Sequence, residues 1–168
     1  CSCCMEEHEV KTVIVIDKAT FKNTEVEYEA SYLYCDLAEE LYMDEKQIQD
    51  NDIKLKNSYR EKEGLLTSTQ ISGIRAKYGI SQSDLCVLLG WGGKTITRYE
   101  SHQVQDKAHD TILKKINQEP EWFLSLLKNA KNNLSAESYQ KYVEAASSLF
   151  EEDRDAYLRK AIEAGYVR

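Results

Sequence analysis

What most constrains this chain is a rhythm of helix starts and stops between Thr67 and Ser101, where three of its seven glycines fall within four residues, in "LLGWGGKTITRYES" (residues 88–101). Thr67 with Gln70 spells a capping box; Ile71, Ile74 and Tyr78 share one face, and Gly79 stands where a left-handed C-cap belongs. Ser81 with Asp84 opens a second helix, in which Leu85, Leu88 and Leu89 form a core stripe until Gly90 ends it. A third short helix follows. At about 100° per residue, Ile96 and Tyr99 lie on its inner side, and Lys94, Thr97, Arg98 and Ser101 lie on the opposite arc.

Two short capped helices, a glycine turn and a third short helix make a helix-turn-helix pattern, whose last element enters the major groove of DNA. Gly90 supplies positive φ, while Gly92 and Gly93 let the start of the next helix approach a phosphate or base edge. On the exposed arc, Arg98 can fork onto the two acceptors of guanine and Lys94 can reach the same edge or a phosphate. The hydroxyls of Thr95, Thr97 and Ser101 suit either target. Gln82, in the first turn of the second helix, is placed to bond a phosphate. The competing reading is that Lys94 and Arg98 merely solvate a helix face.

Charge distribution favours the first reading. The chain is acidic overall, at −7, yet residues 1–66 carry −8, residues 67–116 carry +3 and residues 117–168 carry −2. Only the middle block would attract a polyanion. No apolar run, "VIVI" at Val13–Ile16 included, approaches the roughly 20 residues of a membrane span, and no stretch resembles a signal peptide. A cytoplasmic protein is expected. Five cysteines, three of them in "CSCC" at residues 1–4, suit metal or free thiols better than a disulfide framework.

Ahead of the helices, "EVKTVIVIDKATF" and "TEVEYEASYLYC" alternate apolar and polar residues around "KNT", which predicts a β-hairpin. Residues 36–63 read as a helix followed by a linker. The single proline, Pro120, suits the first turn of a helix. Trp122, Phe123, Leu126 and Leu127 then share a face, and Ser135 caps a further helix. The expectation is an α+β chain: a β-rich cysteine domain with its linker over 1–63, a helical domain over 64–131, and a C-terminal helical segment over 132–168. Cys86, beside Leu85, is expected in the core. His102 is expected to end the third short helix, and His109 to cap or pack in a fourth. No nucleophile meets these histidines in any catalytic pattern, so the chain reads as non-enzymatic.

The run "ISGIRAKYGISQSDLCVLLGWGGKTITRYES" resembles the Xre/Cro-type helix-turn-helix of the MqsA-like antitoxins, and with the cysteine region the likeness covers about residues 1–130. It implies base contacts at Lys94 and Arg98, with Lys94 standing where the family usually has Asn. It also implies a small zinc domain built on two Cys-x-x-Cys knuckles, which here gives Cys1, Cys4 and Cys35 as ligands. The second knuckle is degenerate, because Ala38 stands where the fourth ligand should be. Cys3, His8, Asp36 and Glu39 all remain open as its replacement, and a metal-free hairpin domain or free thiols are the alternatives. The resemblance further implies a dimeric, antitoxin-like autorepressor that binds double-stranded operator DNA and a toxin. The tail "DRDAYLRKAIEAGYVR" is similar to the connection into a SocA-like (Panacea) domain. The rival function is an adaptor whose acidic N-terminal domain grips a basic partner without specific DNA binding.

Overall fold

β1 (Lys11–Phe21) and β2 (Thr24–Cys35) pair antiparallel without a break, from Lys11 opposite Tyr34 to Phe21 opposite Thr24. Between them Lys22 and Asn23 have φ of 48° and 64°. Two consecutive positive values mark a type I′ turn, whose twist matches that of the strands it joins. Alternation sorts the two faces. Val13, Val15, Ala19 and Phe21 lie inside with Val26, Tyr28 and Ala30, while Thr12, Ile14, Ile16, Lys18 and Thr20 are exposed beside Glu25, Glu27 and Glu29. A three-residue strand, β3 (Glu40–Tyr42), completes a sheet of order β1-β2-β3.

The crossing from sheet to helices differs from expectation. Where a helix and then a linker were expected, the chain forms β3 and then one unbroken helix, α1 (Glu45–Lys62). Asp44 and Gln47 close a reciprocal capping box at its start, and Gly64, with φ of 68°, follows its end. The buried residues of α1 are Gln47, Asn51 and Arg60, all polar. Asn51 explains why: its carboxamide accepts from the Ser31 N–H and donates to the Ser31 carbonyl, both at 2.9 Å, as a neighbouring strand would. Lys62 donates to the Glu25 carbonyl at 2.7 Å farther along the same edge. Arg60, fully buried, donates to Asn57 Oδ1 and to the Gln103 carbonyl, each at 2.8 Å. Such partners are what make a buried guanidinium tolerable.

The structure, a computed structural model, describes residues 1–163. These form two units, Cys1–Ser68 with Ser101–Val104, and Thr69–Glu100 with the chain from Gln105 onward. The first division falls after Ser68 rather than at residue 63, because Asn57 of α1 bonds both the Oγ and the N–H of Ser68. The second unit contains α2 (Ser68–Tyr78, less its first residue), α3 (Gln82–Leu89), α4 (Thr95–Ser101, less its last), α5 (Lys107–Gln118), α6 (Pro120–Asn129) and α7 (Ala136–Glu163).

Residues 132–163 therefore belong to the same unit as the short helices. Tyr142 of α7 donates to Asp84 at 2.6 Å, and its hydroxyl accepts from the Ser81 N–H at 3.4 Å. The last residues of the proposed Panacea connection, 164–168, lie outside the described residues. The core gathers Ile71, Ile74 and Tyr78 from α2, Leu85 and Cys86 from α3, Ile96 from α4, Leu113 and Ile116 from α5, and Phe123 and Leu127 from α6. The Tyr78 ring stacks on Phe123 with centroids 4.0 Å apart. Burial of each such side chain contributes about 1.5–3 kcal/mol.

Candidate metal centre and polar helix face

Four donors converge at the start of the sheet. One ligand atom from each of Cys1, Cys4, His8 and Cys35 lies within 4.8 Å of all the others. His8 Nε2 is 3.2 Å from Cys4 Sγ and 3.5 Å from Cys35 Sγ. Nδ1 lies 2.8 Å from the Glu9 carbonyl, which can only accept, so Nδ1 carries a proton, and in the neutral ring Nε2 turns its lone pair toward the thiols. Metal-binding imidazoles are oriented in this way. At ordinary metal–sulfur and metal–nitrogen lengths, a tetrahedral site sets sulfur and nitrogen about 3.5 Å apart; the Cys35–His8 pair stands at that spacing and the Cys4–His8 pair, at 3.2 Å, slightly inside it. The cluster could hold a metal ion.

The remaining candidates point elsewhere. Cys3 donates its thiol to Glu40 at 3.2 Å; that hydrogen bond, with some burial, pushes its pKa up to about 11 and keeps it a thiol. Asp36 is paired with Lys11 at 2.9 Å. Glu39 is exposed, with φ of 53° in the turn before β3. Cys35 is different. Burial pushes its thiol up, but hydrogen bonds from the Ala38 N–H, the Cys4 thiol and the Leu37 N–H outweigh that and hold it below the ordinary range. Sequence reasoning placed Cys1, Cys4 and Cys35 together but left His8 as one of four options. The spacing Cys4-x-x-x-His8 was the signal for it.

The second cluster joins α2, α3 and α4. Glu100 on α4 takes a two-pronged hydrogen bond from Arg75 on α2, at 2.5 and 2.8 Å, and a third from the Gln82 amide at 2.6 Å. Thr97 donates to the carbonyl oxygen of that amide at 2.8 Å. Gln82 and Thr97 thus lock α3 to α4. Lys94 and Arg98 are exposed on the same side of α4, and Gly93, Lys94 and Thr97 line a shallow polar groove with Arg75, Gln82 and Ser83. Ile96 and Tyr99 are buried on the other side. Thr95 is half-buried, and Ser101 ends the helix within hydrogen-bond reach of exposed His102, at 2.9 Å.

The turn before α4 is built from caps and rings. Gly90 has φ of 66°, and the Trp91 N–H reaches back to the Cys86 carbonyl at 2.9 Å. Gly92 and Gly93 are not in that region. A methyl group at Gly93 would meet nothing within 4 Å. Trp91, which sequence reasoning passed over, stacks on His109 of α5 at 3.9 Å, and Tyr99 shares a 2.6 Å hydrogen bond with His109 Nδ1. Ring packing of this kind holds the turn against α5. His109 packs in this way, and Asp106 caps α5 by accepting the His109 N–H.

No helix among the described residues is long and apolar enough to cross a membrane. Comparison with protein-family models, curated proteins and solved structures gave no match.

Proposed function

We propose that this chain is a sequence-specific DNA-binding regulator in which α2, α3 and α4 form a helix-turn-helix and α4 enters the major groove. The observation that carries this reading is the exposure of Lys94 and Arg98 on one face of α4, while the opposite face is buried and the Arg75–Glu100–Gln82–Thr97 network fixes the helix in place. A rigid, cationic face on a short buried helix suits base readout, since base contacts specify only when the backbone is held in register. Gln82 then serves first as a brace between helices. Its phosphate contact would come from the groove it shares with Ser83 and Lys94. The resemblance to MqsA-like antitoxins makes the regulator a dimeric autorepressor of a toxin–antitoxin or mobile-element operon, and a non-enzymatic protein.

Zinc is the metal we assign to Cys1, Cys4, His8 and Cys35, because a donor set of three sulfurs and one imidazole selects it over oxygen-seeking cations. Bound there, it would tie the segment before β1 to the end of β2 and contribute folding energy to the first unit. The adaptor reading is favoured by Glu25, Glu27 and Glu29 on the outer sheet face. Selection of binding sites from random duplexes by the full chain separates the two. A regulator enriches a palindrome with half-sites about one helical turn apart. An adaptor enriches nothing.

A further inference from the structure

We infer that two copies of this chain join through β1, antiparallel about Ile14, so that their sheets become one. This names a surface for the two-fold dimer of the proposed regulator, yet it stands on the sheet alone and is tested without DNA, so either reading can fail without the other.

Ser31 turns its N–H and carbonyl away from β1, to Asn51. Ile14 is the partner of Ser31, so in an antiparallel ladder the N–H and carbonyl of Ile14 also point away, toward the open side of β1. The same holds at every second residue, Thr12, Ile16 and Lys18 included. This edge is long and regular, and it lacks the usual protections: no proline, no bulge, and no charge from Thr12 to Ile16. Its side chains are apolar on both faces over Val13–Ile16, with Ile14 and Ile16 56% and 59% exposed.

Self-pairing about Ile14 answers each of these features. The Ile14 residues exchange both backbone hydrogen bonds, and Thr12 of each copy does so with Ile16 of the other. On the outer face the four isoleucines meet across the seam. On the inner face Val13 meets Val15, and at each end Lys11 meets Asp17. Moving the axis one residue loses this match: about Val15 it sets Asp17 against Val13, and about Val13 it sets Asp17 against Glu9. Lys11 is available for the exchange, since its present partner, Asp36, is itself half exposed.

Amide hydrogen exchange of the full chain, followed residue by residue as concentration is raised, tests this. We expect the Ile14 and Ile16 amides to slow about tenfold or more while Val13 and Val15, already bonded to β2, stay unchanged. Ile14→Lys should abolish the slowing and keep the Val13 and Val15 protection, which shows that the sheet still folds. Lys11→Glu and Asp17→Lys should each weaken pairing, and an equimolar mixture should restore it. Fast exchange at Ile14 and Ile16 in a sample that sediments as a dimer would overturn the inference. So would protection that arises only when a different protein is added.

Discussion

The Ala38 N–H donates to Cys35 Sγ across 3.4 Å, at the position where a second Cys-x-x-Cys knuckle would place a cysteine. In the zinc site proposed above, His8 supplies from the other side the donor that a second sulfur would give a knuckle. We therefore expect about one zinc per chain in protein purified without chelator. His8→Ala should weaken zinc by at least the 10–100-fold seen when even a ligand's supporting partner is lost, while Cys3→Ser should leave it unchanged. Competition with a chromogenic chelator reads both, and equal loss in the two variants would remove His8 from the ligand set.

Arg98→Ala should cost about 1–3 kcal/mol in operator binding and relax preference at one base position. Competition among single-base operator variants, at one salt concentration because phosphate contacts make affinity salt-dependent, gives the measurement. A uniform loss on every sequence would make Arg98 a backbone contact.

Two glycines three residues apart should behave in opposite ways. Gly90→Ala forces a side chain to φ of 66° and should destabilise the helical unit by about 1 kcal/mol. Gly93→Ala meets open space and ordinary backbone, so the melting temperature should hold, while DNA affinity should fall if, as proposed, a phosphate approaches the start of α4 there. Calorimetry beside a binding titration separates them.

Tyr78 sets an alkaline limit. Burial, aided by the charge of Asp153, pushes its pKa up to about 12 from the usual 10, and its hydroxyl donates to the Ile116 carbonyl at 2.7 Å. The folded state thus keeps the proton that the unfolded chain gives up. This contribution is fully present below pH 10 and is lost as pH rises to 12, a fall of roughly 2–3 kcal/mol. Tyr78→Phe should be less stable by about 1 kcal/mol at neutral pH and show a shallower loss between pH 10 and 12 in denaturant titrations.

Removing Glu100 should loosen three helices at once. Glu100→Ala leaves the half-buried Arg75 guanidinium and the Gln82 amide without their acceptor, a cost of about 1–3 kcal/mol. Denaturant unfolding measures it. If Lys94 and Arg98 depend on this brace, specific DNA binding should fall further than non-specific binding does.

What the sequence reveals is what it encodes locally. The hairpin, the Ser81 cap and the Gly79 and Gly90 stops are visible because each is a short-range choice of φ or of a hydrogen bond. The extent of α1, expected only as a helix giving way to a linker, is hidden for the opposite reason. It buries Gln47, Asn51 and Arg60 against a strand edge and a loop, so it lacks the apolar period by which helices are recognised. β3, three residues long, carries no period at all. His8 escapes selection because its role depends on Cys35, which only the register of the hairpin brings near it.

Asn51 decides more than the position of one helix. By taking up the backbone groups of Ser31 it closes the far side of the hairpin, and β3 continues that closure to Cys35. A hairpin with both sides open could add strands without end, as fibres do. With α1 against β2, the described residues leave one long site for strand addition, and the single partner we infer uses it up. The stoichiometry of the assembly inferred through β1 would thus be set at two by a carboxamide on the side opposite its seam.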